Sequence, residues 1–329
     1  MKVLVTGADG LLGSNVIRKL QERDFEIVLF LEKGKQSITL PKGVNHIIYG
    51  NILSEKEVVS AVEGMDYVIH CAANTNVWPT RSKIIRSVNV QGVENVITAC
   101  LQHDIKRLIS VGTANSFASG EIQNPGNETN NYKGHVYNLD YMDSKKQGQD
   151  LILKAVKEKQ LRAIVVNPTF MLGPFDSKPS SGAMVHAMAH GKIPGYSPGG
   201  KNYINVKDAA VGIVNALTLG RIGECYILGH ENLTYKEMFQ KIGAVINKPA
   251  PYRALPAFLV KTLGKINSFM ARLFKYTPAL TGELAQLSCE NHYYTANKAV
   301  QELLLPQTNI EEGIRDCYNW FNSNGYIKK

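Results

Sequence analysis

The sequence predicts an α/β fold: a doubly wound parallel sheet of about seven strands, with a smaller, mostly helical C-terminal lobe. Three observations predict it. Short β-branched runs alternate with segments of helical period through the first two-thirds of the chain. The apolar runs do not alternate with polar residues, as expected of strands covered by helices on both faces. The first run ends in a glycine-rich turn that opens a helix.

In chain order, strands are expected at Lys2–Thr6, Glu26–Leu31, His46–Tyr49, Tyr67–Cys71, Arg107–Val111, Arg162–Asn167 and Cys225–Leu228. Between them lie helical patterns, one with apolar positions at Leu12, Val16 and Leu20. The clearest is Val93, Val96, Ile97, Cys100 and Leu101, an i, i+3, i+4, i+7, i+8 stripe. After about residue 170 the texture changes. Glycine and proline cluster in GPFDSKPSSG and IPGYSPGGK, which read as loops crossing to a second lobe. Asp208–Leu219 reads as a helix, and from Leu233 onward the pattern is helical with punctuation at Pro249, Pro251, Pro256 and Pro278. The expected division is a unit over 1–170, rejoined by about 202–230, and a lobe over 171–329, mainly 171–201 and 231–329.

Composition narrows the function. The 329 residues are 44% hydrophobic and 20% charged, enough for a large core. No stretch approaches the roughly 18 apolar residues of a spanning helix, so stable membrane insertion is not expected. The start, MKVLVTGADG, lacks the apolar core of a secretion signal, and the cytoplasm is the expected compartment. Five scattered cysteines with no C-x-x-C pair argue against disulfides and thiolate metal sites. The net charge is +9, and seven basic residues with no acid lie between Met238 and Gly282. No nucleic-acid-binding pattern surrounds them, so the expected partner is a small molecule.

Three motifs carry chemistry. Thr6-Gly7-Ala8-Asp9-Gly10-Leu11-Leu12-Gly13 follows a strand and opens a helix. Glycines let the backbone turn tightly and approach a pyrophosphate, whose charge the free N–H groups of a helix start favour. At the end of the second strand stands Glu32, which can accept both ribose hydroxyls of NAD. Lys33 and Lys35 leave the 2′-phosphate of NADP open, so the reading is NAD or NADP with a lean to NAD. The third motif is Tyr141-Met142-Asp143-Ser144-Lys145, which on a helix puts phenol and ammonium one turn apart. A nearby ammonium is expected to lower the phenol's pKa from about 10, letting it exchange a proton with a carbonyl oxygen. Composition alone places about one such Tyr/Lys pair by chance, and Tyr203/Lys207 and Tyr294/Lys298 also fit. Context selects Tyr141, downstream of a strand ending in a hydroxyl, Ser110-Val111-Gly112-Thr113, and inside a long helical segment.

With these motifs assembled, the chain resembles the extended short-chain dehydrogenase/reductase family (NAD-dependent epimerase/dehydratase type) over nearly its whole length. TGADGLLG, VIHCAA (68–73), SVNVQGVENV (87–96), YMDSK and YINVKDAA (203–210) carry the resemblance. It implies a Rossmann domain and catalytic residues Thr113, Tyr141 and Lys145. Tyr141 would be the acid/base, Lys145 the ribose ligand, and Thr113 a hydrogen-bond partner of the substrate oxygen. The cofactor would meet Gly7, Asp9, Gly10, Leu11, Leu12, Gly13 and Glu32, and Asn51 and Ile52 at its adenine. Ala72 and Ala73 would form a wall, with Asn89 a structural asparagine behind it, and Pro168 and Phe170 would complete the site with Tyr141 and Lys145. PTFMLGPF (168–175) is similar to dihydroflavonol 4-reductase-like enzymes, and GRIGECYILGHENLTYKE (220–237) to the hopanoid-associated sugar epimerase-like branch. Phe170 stands where many nucleotide-sugar epimerases place an asparagine, and Glu32 where NADP-using reductases of this branch tend to have arginine. The resemblance implies an oxidoreductase interconverting a ketone and a secondary alcohol. A nucleotide-sugar epimerase/dehydratase keeping its NAD, and a non-catalytic NAD(P)-binding module, are the alternatives. A homodimer is also compatible with it.

Three other patterns carry less. His186 and His190 lie one helical turn apart with no third ligand in view, so no metal is expected. His70 ends an apolar strand and reads as a core residue. The stretch 260–275 has apolar residues at helical spacing, Val260 to Phe274, with Lys261, Lys265, Arg272 and Lys275 interspersed. It is expected to pack on neighbouring helices; a lid over an apolar substrate and a surface contact with a membrane are the other readings.

Overall fold

Strands at all seven expected positions pair into one sheet. A computed structural model describes residues 1–34, 37–44 and 46–327; Lys35, one of the two lysines weighed for a 2′-phosphate, lies outside the described residues. Its strands are β1 (Lys2–Thr6), β2 (Glu26–Leu31), β3 (His46–Tyr49), β4 (Tyr67–His70), β5 (Arg107–Val111), β6 (Ala163–Pro168), β7 (Phe170–Leu172), β8 (Gly200–Asn205), β9 (Cys225–Leu228), β10 (Glu231–Thr234) and β11 (Asn291–His292). The large sheet runs β3-β2-β1-β4-β5-β6-β9 and every pairing is parallel. Strand order reverses between β1 and β4, which opens a crevice at their carboxyl ends, where α/β sheets bind ligands.

The absence of polar alternation has its cause in two cores. Val3 and Val5 join Leu12, Val16 and Leu20 on one face. Leu4 joins Val58, Val96 and Cys100 on the other. Successive side chains of a strand point to opposite faces, so a sheet covered twice needs apolar residues at every position.

Beyond residue 170 the lobe is mostly helical, as expected, with one addition that the sequence did not show. β7, β8, β10 and β11 form a second, four-stranded sheet centred on β8. Its strands are two to six residues long and carry sequences such as GKNYIN and ENLT, too short and too polar to show a period. Residues 202–205, expected with the returning segment, belong to this small sheet, and the return begins with the helix Val206–Asn215. That helix is capped by the Asn205 side chain, which accepts from the Lys207 N–H at 3.0 Å. Asp208, the acid expected at its start, instead accepts from the Thr308 N–H at 2.7 Å and hydroxyl at 2.9 Å. A third core, with Leu172, Tyr203, Phe239, Ile314 and Trp320, lies under the small sheet.

The helix Ala257–Phe274 reverses its expected packing. Val260, Gly264, Ser268 and Ala271 are its buried residues, while Leu263, Ile266, Phe269, Leu273 and Phe274 point outward. A Cβ at Gly264 would lie 2.5 Å from that of Ala285, so the contact admits only small side chains on this face. Among the described residues no helix is long and apolar enough to cross a membrane.

Candidate active site

The crevice begins at the turn after β1. Gly7 has φ +64°, and a Cβ there would lie 2.6 Å from the Ala72 amide nitrogen, so β1 and the β4 loop meet backbone to backbone. A Cβ at Gly13 would lie 2.2 Å from the Gly7 carbonyl oxygen. Gly10 is the N-cap of the helix Leu11–Gln21; no side chain caps it and no acid occupies its first turn. The first amides of a helix, here those of Leu11 and Leu12, have no intrahelical acceptors. Asp9 gives its carbonyl to the Thr39 hydroxyl at 2.9 Å. An uncapped helix start behind a turn in which Gly7 and Gly13 leave no room for a side chain fits the diphosphate of a dinucleotide.

Neighbouring loops continue the rim. Glu32 and Lys33 follow the last residue of β2 and are exposed. Asn51 comes two residues after β3; its Oδ1 accepts from the Leu53 N–H at 3.0 Å, which fixes the turn and leaves Nδ2 open. Ile52 gives its carbonyl to Asn95 Nδ2 at 2.8 Å. The loop Ala72–Ala73 is pinned by Thr6, whose hydroxyl oxygen accepts from the Ala72 N–H at 3.2 Å and lies 2.8 Å from His70 Nδ1. Burial, and then the charge of Lys145, hold the His70 imidazole down at about 3, so it is neutral. Asn89 is buried in a π-helical turn, Ser87–Gln91. Its Oδ1 accepts from the Asn74 N–H at 2.7 Å and its Nδ2 donates to the Asn74 carbonyl and the Ser144 hydroxyl, both at 3.0 Å. It thereby ties the loop to the helix carrying Tyr141.

That helix, Asp140–Lys159, starts at a buried carboxylate. Asp140 accepts from Arg81 Nη1 at 2.7 Å, Arg86 Nε at 2.9 Å and the Ser82 N–H at 2.6 Å. One residue on, Tyr141 meets the Thr113 hydroxyl; burial raises the phenol's pKa and the Thr113 hydrogen bond lowers it. Lys145 donates to the Val111 carbonyl at 2.5 Å, and burial lowers its ammonium to about 8. Its Nζ thus reaches the end of β5, two residues before Thr113, from a position one helical turn beyond Tyr141. Asn167, on β6, holds Thr113 in place by donating to its carbonyl at 3.0 Å. Thr113, Tyr141 and Lys145 are thus brought together at the carboxyl ends of β5 and β6. The other Tyr/Lys pairs separate: Tyr203 is fully buried under the small sheet, and Tyr294 donates to the Phe117 carbonyl at 3.3 Å.

Pro168 ends β6 and Phe170 begins the small sheet. Here stands a group that the motif reading missed. Lys201 Nζ lies 4.5 Å from the centre of the Phe170 ring, and among the described residues no ion pair or hydrogen bond holds it. Burial lowers it to about 8. His292, its register partner on β11, is pushed to about 4 by burial and by that charge. His292 Nε2 and the Tyr203 hydroxyl are buried without partners among the described residues. Tyr137, four residues before Tyr141, closes the cluster with its ring 6.0 Å from that of His292. No spacing in the sequence joins Lys201 to a residue 91 positions later; only the register of the small sheet does. His186 and His190 bond elsewhere, to the Tyr326 carbonyl at 3.1 Å and the His186 carbonyl at 2.8 Å.

Comparison with known proteins shows the family. Residues 3–229 match the model of the "NAD dependent epimerase/dehydratase family". A putative dihydroflavonol 4-reductase from Synechocystis sp. is 28% identical, covering 98% of this chain and 95% of its own. A 2-alkyl-3-oxoalkanoate reductase from Stenotrophomonas maltophilia is 28% identical, covering 96% and 98%. The UDP-glucuronic acid 4-epimerase from Bacillus cereus, solved with NAD, superposes with a TM-score of 0.77 at 18% identity, over 98% of this chain and 100% of its own, and shares the fold.

Proposed function

The chain belongs to the NAD dependent epimerase/dehydratase family of NAD(P)-dependent enzymes, and from that premise we propose that it interconverts a ketone and a secondary alcohol on a free small molecule. The observation that carries this reading is the helix that sets Tyr141 one turn before Lys145, whose ammonium donates to the Val111 carbonyl two residues before Thr113. The nicotinamide, when bound, supplies or takes the hydride. Tyr141 gives its proton to the carbonyl oxygen in the reducing direction and takes it back in the oxidising one. Burial keeps this phenol protonated at neutral pH, which suits it to act first as an acid. Thr113 donates to the same oxygen, and Lys145 adds positive charge where the tyrosinate is left. Gly7, Gly10 and Gly13 leave the helix start open to the diphosphate, and Glu32 takes the adenosine ribose.

The Lys201 ammonium suits an anionic group on the substrate, because a half-buried cation with no ion-pair partner among the described residues gains from the arrival of an anion. The name of the Stenotrophomonas relative describes such a substrate, a 3-oxo acid with an apolar chain. A nucleotide-sugar epimerase would use the same cation for a diphosphate, which keeps that as the second reading. Mass spectrometry of the nucleotide released by acid separates the two. A reductase exchanges its cofactor every turnover, so the protein should emerge largely empty and bind added NADH or NADPH reversibly. Near-stoichiometric NAD that does not exchange would overturn the reductase reading in favour of the epimerase.

A further inference from the structure

The Ala257–Phe274 helix turns its large apolar side chains to solvent. Phe258, Leu263, Ile266, Phe269, Leu273 and Phe274 are each more than half exposed, Phe258 by 73%. At 100° per residue they span an arc of about 160°. The residues buried beneath lie on the opposite arc and are small: Gly264, Ser268 and Ala271, with Val260 the largest. The inward face is fully committed. Ser268 Oγ accepts from the Gly282 N–H at 2.9 Å, and Asn267 Nδ2 donates to the Leu280 carbonyl at 3.0 Å. Contiguous exposed apolar surface of this kind marks a contact with another phase or partner.

The flanking charges decide between the occupants. Lys261, Lys265 and Arg272 form a ridge along one edge of the apolar arc. Between Met238 and Gly282 there are seven basic residues and no acid. A second copy of the chain docked symmetrically would bring like charges together with no carboxylate in this segment to offset them. The apolar arc is also wider than a coiled-coil seam, which uses only two positions in seven. A lid would turn the apolar arc to the crevice, but the side facing the loop before Arg81 is the basic one, with the Arg272 guanidinium 5.8 Å from the Trp78 ring. An anionic lipid surface satisfies both features, taking the apolar arc among its acyl chains and the cations among its headgroups. Tyr252, 80% exposed just before the helix, is a residue type favoured at that interface.

We propose that the Ala257–Phe274 helix docks the protein, lying flat, on a negatively charged membrane surface. This does not depend on the reaction assigned above, and its test needs no substrate. Full-length protein is sedimented with vesicles of phosphatidylcholine alone and with vesicles containing roughly equal parts of phosphatidylglycerol. The wild type should sediment with the anionic vesicles, less so as salt is raised, and stay in solution with the neutral ones. I266E/F269E should stay in solution with both, with unchanged circular dichroism and nucleotide binding, since both side chains are outside the core. K261A/K265A/R272A should bind the anionic vesicles about a hundredfold more weakly. Wild type that remains in solution with anionic vesicles would overturn the proposal, as would I266E/F269E binding them undiminished. A wild-type dimer that I266E/F269E dissociates, with no vesicle binding, would assign the face to a second copy instead.

Discussion

At the scale of single residues, the proposed reaction turns on the Tyr141 phenol, one helical turn before Lys145. Tyr141→Phe removes the proton that passes to the substrate oxygen and keeps the ring, so turnover should fall by about 10²- to 10⁴-fold while NAD(P)H still binds. Steady-state rates beside a fluorescence titration of NADPH would check both halves; near-wild-type turnover would remove Tyr141 from the chemistry. Lys145 sets a second expectation. Its ammonium titrates at about 8, because burial disfavours its charge. Above that value the positive charge beside the tyrosinate is lost, so kcat/KM for reduction should be flat below pH about 8 and decline above it. A profile flat through pH 10 would detach Lys145 from catalysis. For Lys201, Lys201→Gln should raise KM for a 3-oxo acid about tenfold or more with little change in kcat, because it removes binding without touching the proton transfer. Comparable loss on the uncharged methyl ester would show that the cation does not read the carboxylate. The placement of Thr113, Tyr141 and Lys145 was legible because helical spacing and a strand end fix it. Lys201 was not, because its environment is made by His292 and Phe170, which meet it only through sheet register.

At the scale of elements, the turn between β1 and the Leu11–Gln21 helix is tightly constrained. A methyl group at Gly13 would sit 2.2 Å from the Gly7 carbonyl oxygen, a backbone atom that cannot swing aside. Gly13→Ala should therefore cost about 1–3 kcal/mol in urea unfolding and weaken nucleotide binding, since relief requires the helix to move away from the turn that cradles the diphosphate. Wild-type stability and affinity in this variant would show that the turn yields freely. Long elements with doubly buried strands declared themselves in the sequence because consecutive central positions of β1, β2 and β5, such as Val3, Leu4 and Val5, face one core or the other. The small sheet did not, because two- to six-residue strands with polar members carry no readable period. The Ala257–Phe274 helix showed its periodicity plainly but not its orientation. An apolar stripe is read as the packing face, and here the packing face is the stripe of small residues.

At the scale of the whole molecule, the two sheets are spliced through β8. Adjacent residues of that strand serve different cores: Ile204 packs with Val3 and Val5 under the large sheet, and Tyr203 with Trp320 under the small one. The C-terminal residues Ala299, Leu303 and Leu305 also return to the core of the large sheet. A strand shared in this way cannot lose one core without disordering the other, so unfolding should be a single cooperative transition despite the length of the chain. Trp78→Phe leaves Trp320 as the sole tryptophan, a reporter buried in the third core. Its fluorescence and the far-ultraviolet circular dichroism, to which the helices of both units contribute, should give coincident urea midpoints. Saturating nucleotide binds at the large sheet, yet it should raise both midpoints together, by the equivalent of about 2.7 kcal/mol of unfolding free energy at a hundredfold excess over Kd. Two separated midpoints, with nucleotide moving only the circular dichroism, would mean that β8 does not couple the sheets. Coincidence would mean that cofactor binding stiffens the strand that carries Lys201, linking the two halves of the crevice through the fold itself.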